Sequence, residues 1–327
     1  MPEKPPDLFS DDHFMTYLGI FKILFPYMSA AFVGGAFNRF GITRGKPEKL
    51  MLKALINFFM PVMIFNYVVG NKALADISNV ISAPVVGFYG IVIGFAVSWY
   101  LAGYFGAKNR DAKASFAFTV GIYNYGFLSI PITEFTFGKE TVGLLLVHNI
   151  GIDLAYWSVG VGLMTGFSYK NFTRVLKNPP LLSVIISLAV NFFIGGDALP
   201  SWVYGVMHPI ALVSIPIGIF ISGAALAESA GALMKKGGFR ISVGAVILRM
   251  FVIPVIMVLT VKFLPVSYDL KMITAVQASM PAGMLTIAII KYFGGDLETA
   301  VQTILTTTAV SLITIPVWIE IFSRFLA

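Results

Sequence analysis

Two short stretches hold the residues best placed to do chemistry. The first reads Gly121-Ile122-Tyr123-Asn124-Tyr125-Gly126-Phe127-Leu128-Ser129-Ile130-Pro131, the second Gln277-Ala278-Ser279-Met280-Pro281-Ala282-Gly283-Met284. Each lies inside a long apolar segment. Proline donates no backbone hydrogen bond and clashes with the carbonyl four residues back, and nearby glycines lower the cost of unwinding. Unwinding frees backbone amides, and the start of a resumed helix, with its positive dipole end, attracts an anion. Tyr123, Asn124, Gly126 and Pro131 in the first stretch, and Gln277, Ser279, Pro281 and Gly283 in the second, are therefore candidate substrate-binding residues. Asn124 and Gln277 add neutral amides able to donate and accept. Taken singly, either proline reads as an ordinary kink. Two broken segments in corresponding positions favour a binding site.

A second set is polar or ionisable. His148, Asn149 and Asp153 fall in one apolar segment, with Asn149 and Asp153 stacked four residues apart on one helix face. Arg249 lies inside another. An isolated charge in an apolar segment is costly, so these groups should pair or face a cavity. Two readings are open: an Asp153–Arg249 ion pair, or Arg249 lending positive charge to an anion site with Asp153 as a protonatable coupling group. Arg249 could also snorkel to the surface, as Lys22 is expected to do. Glu228 and Glu320 read as solvated. Thr306, Thr307 and Thr308 read as bonding back to their own helix, and Trp99, Tyr100 and Trp202 as interface anchors. There is no cysteine, and His13, His148 and His208 share no metal-ligand spacing, so neither a metal site nor a cofactor is expected. Catalysis would need a nucleophile–base pair or a motif such as H-E-x-x-H, and neither occurs.

The elements that must position these residues follow from hydropathy. Apolar residues make up 57% of the chain and charged residues 12%, about half the charged share of a soluble domain. Mean hydropathy is +0.84. Ten apolar segments can be drawn, at 14–38, 50–69, 84–105, 114–137, 141–167, 180–194, 203–227, 241–264, 270–292 and 299–325. That is the pattern of an all-α integral membrane protein lying in the lipid bilayer. The polar, Pro-rich residues 1–13 form a tail, and the first span, lacking a small-residue cleavage site after it, reads as retained. Short connections leave no room for a second domain.

Lysine and arginine set the orientation. With both termini on the extracytoplasmic side of the cell membrane, the cytoplasmic loops and helix ends hold fifteen of them and the other face six; Lys22 and Arg249 lie inside spans. The net charge of +7 is thus a topology signal and gives no reason to expect nucleic acid. Met60-Pro61-Val62-Met63-Ile64-Phe65 returns as Ile215-Pro216-Ile217-Gly218-Ile219-Phe220, 155 positions later, and Phe137-Gly138 as Phe293-Gly294 at an offset of 156. Five spans per half is odd, so residues 14–167 and 180–327 are expected to be two inverted five-helix repeats joined by a cytoplasmic linker at 168–179. That arrangement puts a site near the midplane where the broken fourth and ninth helices meet.

At these residues the chain resembles the auxin efflux carrier family of bacterial and plant permeases. The resemblance rests on Asn124, Pro131 and Gly138, on Met280-Pro281-Ala282-Gly283 with Lys291 ten residues after that proline, and on Thr306 and Pro316. It implies a fold like that of bile-acid/sodium symporters, with crossing fourth and ninth helices. It also implies homodimers that move small organic anions by an elevator motion, the first, second, sixth and seventh helices serving as scaffold. The short linker favours the prokaryotic permeases. Coupling to Na+ or H+ stays open. The alternatives are a sodium-coupled symporter of the same fold and a membrane sensor that binds a ligand without moving it.

Overall fold

The computed structural model describes residues 13–166, 178–195, 199–230 and 238–327. The expected tail, most of the expected linker, and Lys170, Arg174, Lys177, Lys235 and Lys236 of the basic count lie outside the described residues. The helices are α1 (His13–Arg39), α2 (Lys46–Val68), α3 (Ile77–Phe105), α4 (Arg110–Gly121), α5 (Ser129–Phe137), α6 (Lys139–Thr165), α7 (Pro179–Phe193), α8 (Ser201–Ala230), α9 (Phe239–Phe263), α10 (Tyr268–Ser279), α11 (Thr286–Phe293) and α12 (Leu297–Leu326). Among the described residues there is no strand, and α2, α3, α6, α8, α9 and α12 are each long and apolar enough to cross a membrane. The chain is an integral membrane protein.

Helix starts follow local chemistry. Asp76 accepts from the Ser78 amide at 2.9 Å and Asn109 from Ala112 at 2.7 Å, each satisfying an orphan donor of a first turn. The caps carry α3 and α4 beyond the apolar stretches at 84–105 and 114–137, because capping, not hydropathy, ends a helix. Among the described residues three helices contain a π-helical turn: Leu55–Phe59 in α2, Tyr156–Gly160 in α6 and Leu248–Val252 in α9.

Helix pairing in an apolar medium depends on small residues that let backbones approach. Gly151 of α6 packs on α3 so closely that a Cβ there would lie 1.7 Å from the Pro84 carbonyl oxygen. A Cβ on Gly223 of α8 would lie 2.0 Å from the Ala31 carbonyl of α1. These two contacts fix α3 to α6 and α1 to α8.

The expected fourth and ninth spans are each realised as two short helices, α4 with α5 and α10 with α11, interrupted at 122–128 and 280–285. The interruptions meet. Asn124 donates its amide to the Pro281 carbonyl at 2.8 Å and Gly283 to Ile122 at 2.9 Å, with Tyr123 and Ala282 paired as a single antiparallel bridge. Pro131 lies in the first turn of α5, where its missing N–H leaves no bond unmade, while Pro281 lies within the second break.

Candidate functional site: two helix breaks facing one cavity

The first break is held open by side chains that converge on Tyr125. Its carbonyl accepts from Asn149 Nδ2 at 3.2 Å, Gln277 Nε2 at 3.4 Å and Ser129 Oγ at 2.5 Å. Its hydroxyl donates to Asp153 Oδ1 at 2.7 Å, and Gln277 Nε2 also donates to Asn149 Oδ1 at 3.0 Å. The second break is held by Thr307 of α12, whose hydroxyl accepts from the Ala282 amide at 3.3 Å, and by Arg249, which donates to the Ala278 carbonyl at 2.7 Å.

Both breaks line a cavity of about 390 Å³. Most of its wall is apolar and comes from α2, α6 and α7, with Met60, Met63, Ile150, Trp157 and Leu181 among the contributors. Polar groups gather where the breaks pair. Asn124 is only 6% exposed, and among the described residues its carboxamide has no hydrogen-bond partner. The amides of Gly126, Phe127 and Leu128, leading into α5, and of Met284 and Leu285, leading into α11, likewise donate to no carbonyl among the described residues. The residues leading into both half-helices, Gly126 and Phe127 for α5 and Met284 and Leu285 for α11, line one space.

Of the residues singled out by sequence, Tyr123, Asn124, Gly126, Asn149, Asp153 and Gly283 line this cavity. Gln277 stands one hydrogen bond behind it, through Asn149 and Tyr125. Pro131, Ser279 and Pro281 shape the breaks without lining the cavity, and Ser279 bonds to Ala275 within its own helix. His148 is fully buried against α3, where a Cβ on Gly87 would meet its carbonyl at 2.2 Å.

Arg249 also lies off the cavity, fully buried, with its guanidinium 5.2 Å from the centre of the Tyr123 ring. No Asp153–Arg249 ion pair forms among the described residues: Asp153 is engaged by Tyr125, and Arg249 by Ala278. Lys22 is exposed, whereas Glu228 pairs with Lys291 at 3.4 Å and Glu320 with Arg324 at 2.5 Å. Thr306 and Thr307 do bond back to Gln302 and Thr303, each at 2.7 Å.

Sequence reasoning missed Tyr125 and the outward role of Thr307. The signal for Tyr125 was its place inside the polar stretch, since a phenol beside a break can reach a carboxylate on a neighbouring helix. Nothing in the sequence of α12 sets Thr307 apart from Thr306 and Thr308.

Comparison with known proteins agrees with this architecture. The profile described as "Membrane transport protein" matches residues 20–171 and 167–319. An uncharacterised transporter of Methanocaldococcus jannaschii is 25% identical over 87% of this chain and 93% of its own length. An uncharacterised transporter of Methanothermobacter thermautotrophicus is 23% identical over 93% of this chain and 99% of its own. With matches spanning both halves, the chain belongs to the membrane transport protein family of the auxin efflux carrier type.

Proposed function

We propose that this protein carries a small organic anion, a carboxylate, held between the N-termini of α5 and α11 with Asn124 as its side-chain ligand. The observation that carries this reading is that the residues leading into both half-helices line one cavity and that their amides meet no carbonyl among the described residues. A carboxylate there would satisfy donors that the protein leaves open, and the apolar wall would take its carbon skeleton. Tyr123, Gly126 and Gly283 shape the position, and Gln277 holds Asn149 and Tyr125 in place.

In the proposal the chain crosses the cytoplasmic membrane ten times as two inverted five-helix halves, 14–167 and 180–327. The breaks are the crossing points, both termini are extracytoplasmic, and residues 168–179 form a cytoplasmic linker. Two contacts place helix ends that carry the basic residues next to one another. Glu228 at the end of α8 meets Lys291 at the end of α11, and Arg240 at the start of α9 reaches the Tyr104 carbonyl at the end of α3, at 3.3 Å. In the proposal these basic helix ends share the cytoplasmic face. Asn178 and Leu52 belong to the cavity wall, and the proposal takes their side as the route by which a cytoplasmic anion enters.

Transport by an elevator movement of a homodimer belongs to the same proposal and rests on the family resemblance. Asp153, a carboxylate in the wall of an anion site with no cation paired to it among the described residues, is the proposed coupling group. A proton or Na+ bound there would offset its repulsion of the substrate.

The test is uptake of labelled small carboxylates into proteoliposomes, with sodium and proton gradients imposed separately. Saturable uptake, competed by the free carboxylate and not by its uncharged amide, is expected. Absence of uptake for every carboxylate by well-folded protein, or equal competition by the amide, would overturn the reading.

A further inference from the structure

Arg249 is a fully buried cation that reaches the end of α10 and the Tyr123 ring of the first break from outside the cavity. One Nη2 proton goes to the Ala278 carbonyl at 2.7 Å, in the last turn of α10, while Nε and Nη1 have no partner among the described residues. The guanidinium lies over the Tyr123 ring of the other break, 5.2 Å from its centre. The end of a helix is its negative dipole end, so a cation there is favourable, and the ring face adds a second attraction.

The backbone joins the breaks by only two hydrogen bonds, Asn124 to Pro281 and Gly283 to Ile122. Each is a neutral hydrogen bond, weaker in net terms than one made by a charged group. A charge-assisted bond to one break and a cation–π contact with the other are therefore comparable to the whole backbone bridge. Keeping a guanidinium buried with most of its donors open is costly, which argues against a mere filler of space.

The host helix is built to deliver this side chain. Arg249 sits in the π-helical turn Leu248–Val252, and the bulge leaves the Met250 carbonyl to accept from Trp318 Nε1 of α12 at 2.6 Å. Such turns are frequent at functional sites.

We infer that Arg249 is a positioning residue, tying the end of α10 to the Tyr123 ring so that both half-helix N-termini stay aimed at one point. The inference deepens the anion-site proposal and rests on it for its functional meaning. Its structural core can be tested without any substrate.

The experiment is hydrogen–deuterium exchange by mass spectrometry on purified full-length native protein and R249M, R249K and W318F variants, with carboxylate uptake measured in parallel. In R249M, the bridging amides of Asn124 and Gly283 should exchange about tenfold faster or more, with helices α3, α6 and α12 as protected as in the native protein and uptake lost. R249K, retaining charge without the planar fork, should recover part of the protection and part of the uptake. W318F loosens the bulge without removing the buried charge and should raise exchange at the same two amides, which keeps the test open if R249M does not assemble. Unchanged exchange at both breaks in R249M and W318F would overturn the inference, and if uptake fell at the same time Arg249 would instead be a direct ligand. Faster exchange at both breaks would support the clamp even if the native protein moved no carboxylate, a result that would sink only the anion reading.

Discussion

Gly151→Ala tests whether the site depends on the close approach of α3 and α6. The added Cβ would lie 1.7 Å from the Pro84 carbonyl oxygen and 2.6 Å from the Phe88 amide nitrogen, both backbone atoms that cannot swing aside. Relief to a distance of at least about 3.0 Å separates the helices locally by about 1.3 Å. Asn149 and Asp153 flank position 151 on α6, and their bonds to Tyr125 measure 3.2 and 2.7 Å. A shift of that size either stretches these bonds beyond range or drives α6 into the first break. Overpacking of this kind costs about 1–3 kcal/mol, and each interhelical hydrogen bond lost in a membrane adds roughly 0.6 kcal/mol. Thermal unfolding of purified protein, paired with proteoliposome uptake, measures both effects. Gly126→Ala is the folding control, because a Cβ there meets nothing within 4 Å. The reasoning fails if G151A melts with G126A and transports as well as the native protein.

Three further outcomes are expected. Tyr125→Phe removes the donor to Asp153 and should lower stability by about 1.5–3 kcal/mol; in an Asp153→Asn background the same change should cost clearly less, and additive effects in the double-mutant cycle would refute the coupling. Gly223→Ala places a Cβ 2.0 Å from the Ala31 carbonyl and should lower the melting temperature by forcing α1 and α8 apart; an unshifted melt would contradict that packing. Glu228→Gln weakens a half-exposed pair with Lys291 and relieves the repulsion of neighbouring Glu48, so stability should change by less than about 1 kcal/mol, and a large loss on melting would show the pair matters more than its exposure suggests.

The sequence revealed the breaks because glycine, proline and amide side chains inside apolar segments have few other uses there. It also placed Asn149 and Asp153 on one face correctly, since both precede the π-helical turn of α6 and sit in regular helix. Arg249 was legible as an intramembrane cation but not as a clamp. It lies inside a π-helical turn, and one extra residue rotates a helix by roughly 100°, so a period read from sequence loses the facing of the side chain. Tyr125 escaped for a related reason: once the chain leaves helical geometry at Ile122, no periodicity says which way a side chain points. Helix starts moved outward from the apolar stretches wherever an Asp or Asn cap stood beyond them, as Asp76 and Asn109 do.

The central claim is that a carboxylate binds at the paired half-helix N-termini with Asn124 as its side-chain ligand. Equilibrium binding of a transported, labelled carboxylate to purified native protein and to Asn124→Ala tests it most directly, with matched melting temperatures confirming that both are folded. A lost hydrogen bond to a charged group is about 1.5–3 kcal/mol, so N124A should bind at least about tenfold more weakly. Equal affinity in the two proteins would move the site elsewhere and contradict the account.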